Sequence, residues 1–209
     1  MAGLIQVLGM KDKLPDWCEL EISPVSKDEE WGVLSPFNLG PCMTADGIMF
    51  LNVENLWQYS KVYPEHIMNR TDAHSGDIAP EWFSWHISGS LSKRAHRYPM
   101  GKGAVPRFSK WGAMRLSYVT ARKAIYVPTY AQLLVQHPKF KKLLKLHKSG
   151  TNIVIRDYDA YDIHKAYPDS SNAWVDAVNN PNRKFGHGFV IGMALILHTR
   201  PLWYTQWIL

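Results

Sequence analysis

Apolar residues recur along the chain at spacings that predict mostly helices. From Lys110 to Tyr126 and from Tyr130 to Leu146 the apolar and aromatic positions follow helical spacing, with a break in the second helix expected at Pro138. The β-branched run Asn152 to Ile155 predicts a strand, and the stretch Gly186 to Leu197 predicts a last helix. We therefore expect a mainly α (α+β) fold, a helix-dominated domain with a small β-sheet.

Turn-forming residues organise the first part of the chain. The Gly and Pro residues between Trp31 and Pro41 exclude a helix there and predict a structured loop that leads into a short hairpin at Asp46-Gly47. Asn52 can then cap a helix from about Val53 to Tyr63, and Pro64 follows that helix. A loop, a hairpin and a capped helix are therefore predicted in succession.

The domain organisation is predicted from what the sequence lacks. It contains no internal repeat and no low-complexity linker, so we treat residues 31–209 as one domain, with residues 1–30 as an N-terminal extension packed on it. Residues 64–99 contain several turn signals and are interpreted as an insertion with short helices. The aromatic segment Leu202 to Trp207 is expected to pack on the domain, with contact to a partner as the alternative.

The composition is that of an ordinary globular protein, with 46% hydrophobic and 20% charged residues among 209. The uncharged apolar run Phe189 to Leu197 has about half of the ~20 residues that a membrane-spanning helix needs. The first residues carry no basic start followed by an apolar stretch, so no secretory signal is predicted. Cys18 and Cys42 are too few for a disulfide framework or a four-thiolate metal site. We predict a cytoplasmic protein without membrane contact.

The net charge of +6 is unevenly distributed. Residues 82–156 contain no Asp or Glu and carry 15 of the 24 Lys and Arg, whereas the rest of the chain carries all 18 acids and 9 basic residues. The acid-free segment therefore has a charge of +15 and the remainder −9. Such segregation indicates a polyanionic partner, either nucleic acid or a polyphosphate-bearing ligand. The alternative is that these cations pair with the acidic remainder across the fold.

One stretch of the acid-free segment, Pro138 to Leu146, separates cations from apolar residues on a predicted helix. Phe140, Leu143 and Leu144 fall on one side, and lysines occupy the other. The pattern is typical of a solvated surface helix, and contact with a DNA groove is the less favoured interpretation.

The predicted helix from Val53 carries three residues of interest, Glu54, Gln58 and Lys61. Their i, i+4, i+7 spacing places a carboxylate, an amide and an amine on one helix face. On spacing alone this is a surface ion-pair ladder. The aromatic neighbours Trp57 and Tyr59 favour a packed helix instead.

A second candidate site follows the predicted strand, where Asp157, Asp159 and Asp162 are interleaved with tyrosines. Carboxylates at the end of a strand form either a site or a solvated turn, and the sequence leaves both open. The nine histidines include no His-x-x-x-His or Glu-x-x-His pair, so no metal and no cofactor are predicted. His187, between two glycines, is expected to pack or to cap a helix.

In chain order these pieces resemble the NADAR (YbiA-like) family over residues 31–197. The loop Trp31 to Asn38 resembles the family's aromatic-Gly-x-x-Ser-Asn-Phe opening, with Pro36 where Asn is usual. Gly47 to Phe50 and Val53 to Lys61 resemble its Gly-x-x-aromatic and Ser-Glu-x-x-x-Gln-x-x-Lys signature, in which the Glu, Gln and Lys spacings coincide. The weaker similarities are to the family's Gly-Arg…Pro…Trp segment and its late Asp-x-aromatic element, at Met100-Gly101-Lys102, Pro106 to Trp111 and Asp159-Ala160-Tyr161.

The resemblance implies an N-glycosidase in a YbiA-like domain. Members of the family cleave phosphoribosylamino-pyrimidine intermediates of riboflavin synthesis or remove ADP-ribose from guanine in nucleic acid. The acid-free segment favours a nucleic-acid backbone as partner, so we predict hydrolysis of the bond between ADP-ribose and the guanine amino group in DNA, with RNA possible. Such an enzyme would reverse a toxin's modification, as an antitoxin or, in the host cytoplasm, as a phage counter-defence. The alternatives are the riboflavin-intermediate activity and a non-catalytic module that binds ADP-ribose or nucleic acid.

The resemblance also assigns roles. Lys61 would attack the sugar carbon, Glu54 would move protons, and Asp159 is the second candidate for proton transfer or ribose orientation. Stacking and hydrogen-bonding contacts to the substrate are assigned to Trp31, Ser35, Phe37, Asn38, Trp57, Gln58, Gly101, Lys102, Trp111 and Tyr161. Phosphate or nucleic-acid contacts are assigned to Arg94, Arg97, Arg107 and Lys110.

Overall fold

A computed structural model describes residues 1–68 and 76–199 of the chain. These residues fall into two compact units: unit 1 combines Met1–Ser35 with the chain from Tyr130 onward, and unit 2 is the continuous segment Pro36–Thr129. The segment Leu202 to Trp207 and part of the predicted insertion lie outside the described residues. The single domain beginning at residue 31 stays a prediction.

Short strands and helices alternate along the described chain. The strands are β1 (Ile5–Gly9), β2 (Leu20–Ile22), β3 (Cys42–Met43), β4 (Met49–Phe50), β5 (Lys61–Val62), β6 (Phe108–Trp111), β7 (Met114–Leu116) and β8 (Ile153–Asp157). The helices are α1 (Val53–Tyr59), α2 (Pro80–Leu91), α3 (Tyr118–Ala121), α4 (Val127–Gln136), α5 (Pro138–Lys148), α6 (Ile163–Ala166), α7 (Ala173–Asn179) and α8 (His187–Leu197). A π-helical turn, Arg122–Tyr126, lies between α3 and α4. The predicted α+β class with small sheets is confirmed. No described helix has both the length and the apolar character to cross a membrane.

Unit 1 is built around a three-stranded parallel sheet in the order β1-β8-β2. All five residues of β8 are buried, because this strand lies between the other two. The apolar helix α8 packs against β1 and β8, with Gly188 and Gly192 both close to Val7. The predicted strand near residues 152–155 and the predicted last helix are both confirmed, with shifts of one or two residues at their ends.

Unit 2 contains the β3–β4 hairpin, the antiparallel sheet β5-β6-β7 and the helices α1 and α2. The hairpin turns at Gly47, whose φ of 80° lies in the region that glycine adopts without strain. Trp82, on α2 within the predicted insertion, is buried against Val62 and Phe108 of the sheet. This part of the insertion therefore contributes to the core of unit 2.

Two predicted helices differ from the structure. The residues from Lys110 to Leu116 form β6, a turn at Gly112 with φ 57°, and β7, so the helix predicted over 110–126 is wrong in its first half. The helix predicted to reach Tyr63 ends at Tyr59, because the next residues pair with β6 as strand β5. The break at Pro138 is confirmed, since α4 ends at Gln136 and Pro138 begins α5.

Candidate functional site

The helix α1 places its polar side chains inside unit 2. Asn52 caps the helix by accepting a hydrogen bond from the Asn55 backbone N–H at 2.8 Å, and all seven helical residues are buried. Glu54 and Gln58 are only 5% and 8% exposed. The two side chains therefore do not belong to an exposed ion-pair ladder, because they are removed from water.

Glu54, Gln58 and Lys61 form a chain of hydrogen bonds, here called the polar row. The Gln58 Nε2 donates to Glu54 Oε1 at 2.8 Å, and the Lys61 Nζ donates to Gln58 Oε1 at 2.6 Å. The spacing brings the three groups together as predicted, although Lys61 reaches the row from strand β5 and not from the helix. Because the Gln58 amide donates on one side and accepts on the other, it links a carboxylate to an amine.

Aromatic rings lie beside the polar row. The Lys61 Nζ lies 4.8 Å from the centroid of the Trp57 ring, and Trp57 in turn contacts Tyr126 and Tyr118 at centroid distances of 5.4 and 6.3 Å. The guanidinium of Arg122, a residue only 1% exposed, lies 4.5 Å from the Tyr118 ring. Trp57 was predicted to contact substrate, whereas Tyr126 and Arg122 were missed, because the π-helical turn that presents them has no sequence signature.

The loop before α1 is bonded to the start of the helix. The Glu54 N–H donates to Pro36 O and the Val53 N–H donates to Leu39 O, both at 2.9 Å. These bonds hold the predicted substrate residues Phe37 and Asn38 near the first turn of α1, with Phe37 half-buried and Asn38 exposed. The predicted loop is thus held against the N-terminus of α1 by these two backbone hydrogen bonds.

Asn55 holds a second loop against α1. Its Nδ2 donates to Ser92 O at 3.1 Å and to Arg94 O at 2.9 Å, and its Oδ1 accepts from the His96 N–H at 2.8 Å. The side chain of Asn55 is fully buried, so these bonds replace those it would make with water. The loop carries the predicted phosphate contact Arg94, which is exposed. Asn55 was not singled out from the sequence, because its partners are about 40 residues away.

The other residues of unit 2 that were predicted to contact substrate or phosphate differ in their exposure and in the contacts that they already make within the protein. Gly101 has a φ of 91°, and the turn it forms leaves Lys102 exposed. Arg107 is exposed, and Arg97 lies over the Tyr98 ring at 5.4 Å. Lys110 is already paired, since its Nζ lies 2.8 Å from Asp46 Oδ2. Trp111, which follows Lys110 on β6, is half-buried.

Four predicted residues belong to unit 1. Trp31 and Ser35 are buried, and the Lys139 Nζ lies 4.5 Å from the Trp31 ring centroid. Asp159 forms an ion pair with Lys184, whose Nζ lies 3.0 Å from its Oδ1. Tyr161 packs on Phe189 at 5.0 Å between ring centroids. Tyr161 also lines a cavity of about 780 Å³ together with Gln6, Trp17 and Arg183, which the sequence did not single out.

The buried carboxylate of Asp157 occupies the end of β8. Its Oδ2 accepts the Gly188 N–H at 2.9 Å and lies 3.4 Å from His187 Nδ1, while its Oδ1 accepts the Asp159 N–H at 3.1 Å. A Cβ at Gly186 would overlap this carboxylate, so glycine is required there. Of the two roles expected for His187, the structure shows packing, against the Asp157 carboxylate, while Asp157 accepts the N–H at the start of α8. Among the described residues no group of three or more His, Cys, Asp or Glu could hold a metal ion.

Comparison of the chain with protein-family models, with curated proteins and with solved structures finds no match.

Proposed function

We propose that the protein is an N-glycosidase that hydrolyses the bond between ADP-ribose and the guanine amino group in DNA. The observation that carries the proposal is the polar row, in which a buried carboxylate and an amine are joined through one amide beside an aromatic ring. Cleavage of an N-glycosidic bond requires a proton donor for the leaving nitrogen and a nucleophile for the anomeric carbon. Glu54 and Lys61 are suited to these two roles.

The proposed reaction has two stages. In the first, the Lys61 Nζ, as the free amine, bonds to the ribose anomeric carbon while the bond to the guanine nitrogen breaks, and Glu54 gives its proton to that nitrogen. The bond between the anomeric carbon and the ring oxygen then breaks, the ring oxygen takes up a proton lost by the Lys61 nitrogen, and the adduct becomes an imine. In the second stage water, deprotonated by Glu54, adds to the imine carbon, and Lys61 leaves as an amine together with free ADP-ribose. Gln58 keeps its two neighbours in position, because both ends of its amide are bonded to them.

The choice of nucleic acid over a small metabolite rests on charge. The acid-free segment carries 15 cations, far more than the phosphates of a small metabolite can neutralise, whereas each phosphate contact along a nucleic acid adds to binding. The loop that Asn55 holds on α1 brings the exposed Arg94 to the helix that carries Glu54. Removal of a toxin's ADP-ribose from guanine, in an antitoxin or a phage counter-defence role, is the biological setting that we propose.

The proposal is tested with an oligonucleotide that carries ADP-ribosylated guanine. We expect the wild-type protein to release free ADP-ribose, and Lys61→Ala and Glu54→Gln each to lower the rate by roughly 100-fold or more, since each removes a reacting group. Lys11→Ala, at an exposed lysine of unit 1, is the control and retains the wild-type rate. Binding of the oligonucleotide without any release would contradict the proposed activity and favour a binding module.

The covalent step has its own measurement. Borohydride added during turnover should reduce the imine and leave an adduct that mass spectrometry assigns to Lys61. Lys61→Arg, which keeps the positive charge but cannot form the imine, should give no adduct. Hydrolysis that proceeds at the wild-type rate in Lys61→Ala would show that Lys61 has a different role.

A further inference from the structure

The helix α5 presents a row of exposed lysines on the surface of unit 1. Its apolar side is buried through Phe140 and Leu143. Its other side exposes four lysines, here called the α5 lysine face: Lys141, Lys142, Lys145 and Lys148. Within residues 1–68 and 76–199, none of the four has an acidic partner, whereas the neighbouring Lys139 pairs with Glu30 at 2.7 Å.

This arrangement opposes the stability of the helix. Lys141 and Lys145 are four residues apart and Lys145 and Lys148 three apart, so like charges face each other on adjacent turns. The first turn contains no acid, and Lys141 adds a positive charge near the positive end of the helix dipole. The helix dipole favours Lys145 and Lys148 in the last turn, so folding accounts for these two lysines but not for Lys141 and Lys142. A polyanion bound to this face would relieve the repulsion among the four.

The packing of α5 favours nucleic acid over a membrane surface as the polyanion that the lysines bind. A helix that binds a membrane surface inserts its apolar side between lipids, but here Phe140 and Leu143 are already buried in the protein. The α5 lysine face extends ~10 Å from Lys141 to Lys148, and duplex DNA presents about one negative charge per 1.7 Å of its axis. Lysines act as flexible point charges that suit backbone phosphates without reading a sequence.

We propose that the α5 lysine face binds the phosphate backbone of nucleic acid without sequence preference. The inference deepens the proposed function, on which it rests for its biological role, by adding a backbone contact outside the polar row. Unmodified DNA is therefore the appropriate probe, since it tests the contact without requiring hydrolysis.

The experiment measures the affinity of the full chain for an unmodified duplex oligonucleotide between 50 and 200 mM salt, by fluorescence anisotropy. For Lys141→Gln/Lys145→Gln we expect the slope of log affinity against log salt to shrink by about 2, at ~0.9 per lost phosphate contact. We also expect about a tenfold loss of affinity at 50 mM salt. The helix should remain folded, because Gln and Lys have similar helix propensity.

A matched control removes two cations elsewhere in unit 1. Lys11→Gln/Lys27→Gln lowers the net charge equally at exposed positions outside the acid-free segment, and it should keep the wild-type slope. Lys141→Arg/Lys145→Arg should also keep it, because the positive charge at both positions is retained.

Three results would overturn the inference. The first is an unchanged salt slope in Lys141→Gln/Lys145→Gln, and the second is an equal decrease of the slope in Lys11→Gln/Lys27→Gln. The third is that the wild type binds phosphatidylserine vesicles but not DNA. Failure of the proposed function is separate. If the wild type releases no ADP-ribose, the proposed glycosidase activity is contradicted. If Lys141→Gln/Lys145→Gln alone still weakens salt-dependent DNA binding, the proposed role of the α5 lysine face is nevertheless supported.

Discussion

At the scale of single residues, Gly89 shows how closely the helix α2 approaches the helix that carries the polar row. A Cβ at this position would overlap the ring of Tyr59. Tyr59 is itself held by Trp85, with 4.4 Å between ring centroids, and is only 7% exposed. The ring therefore cannot move aside without disturbing other buried groups.

We expect Gly89→Ala to lower the free energy of unfolding by roughly 1–3 kcal/mol through overpacking, although alanine is the better helix former by ~1 kcal/mol. Urea denaturation measures the change. Ser84→Ala, at an exposed position of the same helix, is the control and should be neutral or slightly stabilising. A Gly89→Ala protein as stable as the wild type would show that the two helices can separate slightly at no cost.

The sequence correctly predicts which residues form the polar row, but not which secondary-structure elements carry them. Spacing alone places Glu54 and Gln58 one helical turn apart, and the structure bonds them. The helix ends before Lys61, which lies on strand β5. From there its Nζ still donates a hydrogen bond to Gln58 Oε1. Arg122 and Tyr126 could not be predicted, since their contacts depend on a π-helical turn.

At the scale of elements, the predictions that rest on local signals are correct, and the wrong one concerns a strand that depends on a partner far away in the sequence. The cap at Asn52, the hairpin turn at Gly47 and the break at Pro138 act within a few residues, and all three are confirmed. The strand β6 depends on β5, with Ser109 opposite Lys61. A pairing across that distance along the chain leaves no periodic signal, so the apolar residues near Trp111 were misread as helical.

The loop from Ser92 to His96 is the element whose position depends most clearly on one side chain. We expect Asn55→Ala to release it, because Ser92 O and the His96 N–H lose the bond to Asn55, and Arg94 O keeps only the bond that it accepts from the Ser92 hydroxyl. Hydrogen exchange at the His96 amide should accelerate, and under the proposed function the affinity for the modified oligonucleotide should fall as Arg94 loses its fixed position.

The control for the loop is Asn179→Ala, since the exposed Asn179 lies in unit 1, outside the loop, where its Nδ2 donates to Val175 O within α7. It should change neither the exchange of the His96 amide nor the affinity. Unchanged exchange in Asn55→Ala would mean that other contacts of the loop are sufficient to hold it.

At the scale of the whole molecule, buried histidines make stability depend on pH. Burial lowers the pKa of His66, His86 and His147 from its usual value of 6.5, so the folded protein keeps these rings neutral where the unfolded chain would protonate them. Their contribution to stability is present above pH 6.5 and is lost as the pH falls below it.

We therefore expect the free energy of unfolding to be lower at pH 5.0 than at pH 7.5, by at most about 1.4 kcal/mol per pH unit for each histidine. Urea denaturation at both values measures it. His147→Gln should reduce the difference, and His164→Gln, at an exposed position, should not. Equal stability of the wild type at both pH values would contradict the burial argument.

The charge segregation that the sequence predicts extends over both units. The acid-free segment supplies the loop held by Asn55 in unit 2 and the α5 lysine face in unit 1. One alternative, internal pairing, holds for some of its cations, such as Lys110 and Lys139, but among the residues that the structure describes the α5 lysine face has no acidic partner. Composition identifies the segment, whereas the structure is needed to show which of its cations have an acidic partner, as Lys110 and Lys139 do.

The pairing of β1 with β8 has a consequence for biosynthesis. Ile5 lies opposite Ile153, so the first strand of the central sheet emerges from the ribosome almost 150 residues before its partner. At ~5–20 residues per second that interval is roughly 7–30 s. Unit 2 is translated in one piece during this time, whereas β1 has no strand to pair with. Until β8 has been synthesised, the backbone of β1 therefore has no partner strand from its own sheet.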